Sequence, residues 1–137
     1  MEEKPTAEDF DRMGGVDSIT RWVTRFYELI ANDPLLAGLF TQKLEISRDK
    51  QIAFMIEFFG GPALYSEQHG KAFLRFKHRH VKIGQEERDA WMNLILRALR
   101  ETVSDAGLAA KAESRLAPLA TAMINHLPDK KDAYYFN

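Results

Sequence analysis

A chain of 137 residues, 45% hydrophobic and 28% charged, has the size and balance of one ordinary globular domain, with interior enough for a core or a flat cofactor. Its formal net charge of −1 offers no global field for nucleic acid or an anionic membrane, and its apolar runs are too short to span a bilayer. It has no cysteine, which excludes disulfides, thiolate zinc sites, iron–sulfur clusters and thioether-linked cofactors; any bound metal needs His, Met, Tyr or carboxylate ligands.

The opening Met1-Glu2-Glu3-Lys4 is charged and carries no signal-peptide pattern, so the expectation is a cytoplasmic protein. Residues 1–12 read as a polar N-terminal arm with a short helix near Phe10. Gly14-Gly15 breaks the chain, and Asp17 or Ser18 is expected to cap a helix whose stripe is Ile19, Trp22, Val23, Phe26 and Ile30. Asn32-Asp33-Pro34 stops it, because proline disfavours helical geometry in the residue before it.

A short apolar segment, residues 35–40, leads into a polar loop. Ser47 is the expected N-cap of the next helix, which sets Ile52, Met55, Ile56 and Phe59 on one face with Gln51, Phe54 and Phe58 beside it. Apolar groups around more than half its girth predict burial against more than one neighbour. Gly60-Gly61-Pro62 ends it. Residues 62–84 show no long period and read as an irregular connector with one helical turn near residues 73–77, a length of loop that tends to be functional. Glu86 and Glu87 suit a helix N-terminus, and Trp91, Leu94, Ile95, Ala98 and Leu99 form the next stripe. After an interruption at Gly107 the last helix runs through Leu116, Leu119, Ala120, Met123 and Leu127 to Pro128, with Pro118 marking its start or a kink. Residues 128–137 form a tail whose aromatic cluster packs back on the domain or meets a partner. No segment alternates as a strand. The fold class is all-α, a single domain over 1–137 with about four substantial helices.

Four histidines are available: His69, His78, His80 and His126. His78 and His80 form a His-x-His pair, which chelates metal when alternate residues share a strand face, but no strand is expected and no carboxylate lies near in sequence. Arg75, Lys77, Arg79 and Lys82 surround them, either to meet a phosphate or carboxylate or as a solvated basic face. No serine sits in a Gly-x-Ser-x-Gly context, and no glycine-rich phosphate loop is present. Nine Phe, four Tyr and two Trp are explained, taken alone, by a well-filled aromatic core.

Five pieces in register change that reading. They are Phe26-Tyr27-Glu28 with Asp33-Pro34-Leu35-Leu36 and Leu39-Phe40; Phe59-Gly60-Gly61-Pro62; Leu64-Tyr65-Ser66-Glu67-Gln68-His69-Gly70; Leu74-Arg75-Phe76-Lys77-His78; and Glu87-Arg88-Asp89-Ala90-Trp91. Their order and spacing resemble the truncated haemoglobins, across residues 13–127, and most closely the second group of that family, which has tryptophan in the place of Trp91. The sequence departs from the family's common pattern at Lys71-Ala72, where His-Pro is usual, and in the corner loop 41–46, one residue short against some relatives.

The resemblance implies a truncated-globin two-over-two helical sandwich around haem b (iron protoporphyrin IX), held without covalent attachment. It implies His78 as the proximal iron ligand, with His80, where many relatives have proline, as the alternative. It places Phe40 against the porphyrin, Phe54 and Met55 along the distal side, Ser47 at the pocket mouth, and Lys50 and Arg75 near the propionates. Tyr27, Gln51 and Trp91 fall at the ligand-contacting positions. A phenol, an amide and an indole are three donors suited to a bound oxygen that gains partial negative charge.

The function expected is oxygen binding, with other diatomic gases, and slow release through this Tyr/Gln/Trp network. The alternative is a haem enzyme that detoxifies peroxide or nitric oxide, supplied with electrons by an external reductase. A haem-free helical interaction module is the third reading. No nucleic-acid or membrane partner is expected, and the chain is read as a monomer or weak homodimer.

Overall fold

A computed structural model describes residues 6–126, and among them every regular element is a helix. The first, α1 (Ala7–Arg12), is held by a capping box in which Thr6 and Asp9 satisfy each other's backbone N–H. Asp9 also accepts from Lys111 at 2.9 Å, tying this arm to the last helix. The lysine and the Thr6 backbone bond hold the Asp9 carboxyl below the usual carboxylate range.

Helix α2 (Gly15–Ala31) starts earlier than Asp17 or Ser18 would cap it. Gly14 takes a left-handed φ of 103° and sits directly over Ser18, whose side chain is buried inside the first turn and caps nothing. The predicted stripe of Ile19, Trp22, Val23, Phe26 and Ile30 is wholly buried. Asp33 caps α3 (Pro34–Ala37) by accepting from the Leu36 N–H at 3.1 Å, with Pro34 at the first position, where a missing N–H costs nothing.

Helix α4 (Leu44–Phe58) corrects the second cap. It begins one turn upstream of Ser47, because Leu44 packs against the core and draws the start back. Ser47 lies inside the helix, its hydroxyl accepting from Gln42 Nε2 at 3.2 Å. The connector is less irregular than its glycines and prolines suggest. It contains α5 (Leu64–His69), unforeseen from sequence, as well as α6 (Leu74–Lys77), the single turn expected there. Helix α7 (Gln85–Thr102) carries its acidic first turn and buries Ile95, Ala98 and Leu99 with Met92. Helix α8 (Ala106–Ala122) is capped by Asp105 on the Leu108 N–H at 3.1 Å. Gly107 therefore lies within its first turn and does not interrupt it. Pro118 lies inside α8 on the exposed face, so it neither starts the helix nor costs it a core contact. The helix stops at Ala122; Leu127 and the tail lie outside the described residues.

The long helices form two pairs. α2 packs on α4 and on α7, and α7 packs on α8, so α2 is the central beam of the core. Trp22 locks the beam in register, fully buried with its indole N–H donating to the Ile95 carbonyl at 2.9 Å. At the surface the Arg25 guanidinium spans α2 and α7 to reach Glu101 at 2.9 Å. No described helix is long and apolar enough to cross a membrane.

Candidate functional site

The two helix pairs do not close completely. Between them, capped by α3 and by the segment from α5 to the start of α7, lies a cavity of about 500 Å³, within the range of small-molecule and cofactor sites. Leu36, Phe40, Phe54, Leu74, Val81 and Ile83 give it a largely apolar wall.

Three hydrogen-bonding side chains reach this cavity from three different helices: Tyr27 from α2, Gln51 from α4 and Trp91 from α7. The Tyr27 hydroxyl donates to Gln51 Oε1 at 2.7 Å. Tyr27 is also wedged edge-on against Phe26 at 5.5 Å and Phe40 at 5.8 Å between centroids. Burial pushes its phenol far above the ordinary tyrosine range, so Tyr27 stays protonated and remains a donor. Because the Gln51 oxygen is engaged, its amide N–H₂ is the end left to donate. Trp91 stands edge-on to Phe26 at 5.5 Å, and among the described residues no acceptor is bonded to its indole N–H.

His78 caps the C-terminus of α6 and lines the same cavity. Its Nδ1 lies 2.7 Å from the Leu74 carbonyl. A carbonyl can only accept, so Nδ1 carries a proton, which leaves Nε2 as the nitrogen through which the neutral ring would bind a metal. His80 is exposed and turns to a separate outer hollow that it shares with Arg75, Arg79, Lys82 and His126. The His-x-His pair is thus split between two surfaces. Among the described residues no group of three His, Asp or Glu could hold a bare ion.

The loop after His78 is fastened from the far end of the chain. Asn125 Oδ1 accepts from the Ile83 N–H at 2.9 Å, and its Nδ2 donates to the carbonyls of Val81 at 2.8 Å and His78 at 3.2 Å. The backbone N–H groups of Asn125 and His126 both donate to the Ile83 carbonyl, at 2.8 and 3.0 Å.

Of the other residues expected at the site, Phe40, Ser47, Lys50 and Phe54 line the cavity. Met55 does not: it is fully buried in the core, one helical position past Phe54 and turned inward. Arg75 does not either, since its guanidinium lies 3.5 Å from the Ile124 carbonyl on the outer hollow. The wall also holds His69 and Lys77, which the sequence offered as a candidate histidine and a candidate partner for a carboxylate without placing them at this site, and Tyr65 and Arg88, to which it gave no role, as it gave none to Asn125 behind the wall. Lys77 Nζ donates to the Tyr65 hydroxyl at 2.9 Å, and the Tyr65 and His69 rings are 5.0 Å apart. The signal for these was the i, i+4 spacing of Tyr65 and His69, hidden because α5 is only six residues long and flanked by Pro62 and Gly70.

This donor set suits a flat macrocycle better than a free ion. His78 and His69 on the wall are too few to hold a bare ion, so a metal bound at His78 Nε2 needs a group that brings the remaining ligands with it. The apolar walls suit the body of such a group, and Lys50, Lys77 and Arg88 suit acidic substituents. The one carboxylate on the wall, Glu87, already accepts from the Gly84 N–H at 2.7 Å.

Comparison with known proteins agrees with this geometry. The sequence model of the bacterial-like globins matches residues 8–125. The chain is 32% identical over 111 residues to the group 2 truncated hemoglobin YjbI of Bacillus subtilis, covering 81% of this chain and 84% of that one. It superposes on the hemoglobin of the thermophilic phototroph Chloroflexus aurantiacus with a TM-score of 0.82 and 36% identity, covering 90% of this chain and 100% of that one. The group II 2-on-2 hemoglobin of Agrobacterium tumefaciens gives 0.81 and 31%, with 90% and 97% covered.

Proposed function

Since the chain belongs to the bacterial-like globin family, as a group II truncated haemoglobin with the two-over-two fold, we propose that it binds haem b through His78 and holds oxygen beneath Tyr27, Gln51 and Trp91. The observation that carries this reading is convergence: one cavity gathers the ring of His78 and the three donors, each from a different element. His78 would hold the haem iron when the group is bound, and the iron would supply the centre at which a diatomic gas binds.

The rest is done by side chains. Leu74 fixes the His78 tautomer through Nδ1, so Nε2 is the coordinating atom. Phe40 and Phe54 exclude water, which strengthens every hydrogen bond formed in the cavity. Tyr27 orients Gln51 by donating to its oxygen, and the Gln51 N–H₂ and the Trp91 indole N–H then face the gas as donors. Each such bond contributes about 1 kcal/mol, so together they slow release by more than tenfold. Slow release suits storage, sensing or redox chemistry better than delivery. Lys50, at the edge of the cavity, is placed to pair with a haem propionate, and Lys77 and Arg88 share that role in place of Arg75.

The test is the visible spectrum of the haem-loaded protein and the oxygen-release rate of Gln51→Leu and Trp91→Leu. Faster release with haem retained supports the reading; unchanged release in both variants removes the donors from the function.

A further inference from the structure

Asn125 turns its side-chain oxygen and both amide hydrogens toward one short segment, from His78 to Ile83. The carboxamide orientation is unambiguous, because its nitrogen faces two carbonyls and its oxygen faces an N–H; a flip would set oxygen against oxygen at both carbonyls. One of those carbonyls belongs to His78 itself. The other end of the clamp, Ile83, is buried, and its N–H and carbonyl are both satisfied by residues 125 and 126. Ile83 is the buried end, where an unpaired backbone group would be costly, whereas the two bonds from the Asn125 nitrogen lie at the surface.

The consequence concerns the ring. Helix α6 is a single turn, too short to hold its own C-terminus rigidly, and the residue that precedes it, Phe73, has a φ of 43° that is strained for a residue with a side chain. Within its own turn His78 is held by its N–H and Nδ1, both on the Leu74 carbonyl, and by the Val81 N–H on its carbonyl at 2.9 Å; the one tether from outside the segment is Asn125, from beyond α8, on that same carbonyl at 3.2 Å. We infer that Asn125 is a positioning residue for the proximal histidine: it sets the His78 backbone, and through it the angle and strain of the bond from Nε2 to iron. The sequence gap of 47 residues between the partners makes this the coupling by which the end of α8 controls the site. The inference rests on His78 being the ligand.

Its test uses the haem-loaded full chain with Asn125→Ala and Asn125→Asp. Aspartate keeps the acceptor for the Ile83 N–H but turns an oxygen toward the carbonyls of His78 and Val81, so it separates the two halves of the clamp. The readouts are the iron–histidine stretching band of the ferrous, ligand-free state by resonance Raman, haem transfer to a scavenging apoprotein, and thermal stability. Both variants are expected to shift the iron–histidine band and to speed haem transfer about three- to tenfold, the effect of the one hydrogen bond, about 1 kcal/mol, that each takes from the His78 carbonyl. A lowered thermal stability with the band unmoved would overturn the inference and leave Asn125 as a structural fastening only. An Asp variant with the parent's band would do the same. If instead the parent's band survives His78→Ala, it is the assignment of His78 that fails.

Discussion

Tyr27 gives its hydroxyl hydrogen to Gln51 across 2.7 Å, so the two cavity donors from α2 and α4 are arranged in series. The glutamine carboxamide stands between the phenol and the cavity. Tyr27 thus acts largely by deciding which end of Gln51 is presented.

That arrangement predicts coupling. Gln51→Leu should release oxygen roughly fivefold faster, the loss of a hydrogen bond of about 1 kcal/mol. Tyr27→Phe should act in the same direction, and adding it to Gln51→Leu should change the rate little further, because its partner is already gone. Flash photolysis of the three variants gives the cycle. Fully additive effects would mean that the phenol acts on the gas directly.

Trp91 stands outside that series, with no protein acceptor among the described residues. Trp91→Leu should speed release by a similar factor, additively with Gln51→Leu, with haem content unchanged. Stopped-flow displacement of oxygen measures this. Strong non-additivity would place the indole in the same hydrogen-bond chain.

The pH dependence of Tyr27 follows from its burial, which raises the phenol pKa in the folded state above its unfolded value near 10. Above about pH 10 the unfolded chain then binds fewer protons than the folded one, so stability present below that pH is lost as the pH climbs. Ultraviolet titration of parent and Tyr27→Phe should give coincident phenolate curves through about pH 10, parting only at higher pH. A difference that opens below pH 10 would mean an exposed phenol.

Packing at the end of α4 gives a stability prediction independent of haem. A Cβ on Gly61 would lie 2.7 Å from the Phe10 ring and 2.9 Å from Ile56 Cγ2. Gly61→Ala should cost about 1–3 kcal/mol by overpacking, and Phe10→Leu in the same chain should recover part of it. Urea unfolding measures both. Loss of the same size with and without Phe10 would put the strain elsewhere.

How much of this was legible in the sequence depends on what each residue answers to. The stripes of α2 and α7 were readable because a buried face needs a helical period, and Ile19 to Ile30 and Ile95 to Leu99 obey it. The caps were less readable: Ser18 and Ser47 have the right chemistry, yet the core contacts of Ile19 and Leu44 set where those helices begin. Helix α5 was hidden because six residues carry too little period to detect. At the candidate site, Tyr27, Gln51, Trp91 and His78 were singled out by family register, and all four line one cavity. Met55 and Arg75 were misplaced because register does not say which way a neighbouring side chain turns. Asn125 could not be found at all, since its partners lie 42 to 47 residues away.

The central claim is most directly tested by the absorption spectrum of the haem-loaded chain, ferric, dithionite-reduced and under carbon monoxide, beside His78→Ala and His80→Ala. A stoichiometric Soret band is expected that shifts with carbon monoxide, is weakened by His78→Ala and is kept by His80→Ala. A chain that takes up no stoichiometric haem, or one that loses it with His80 but not with His78, would contradict it.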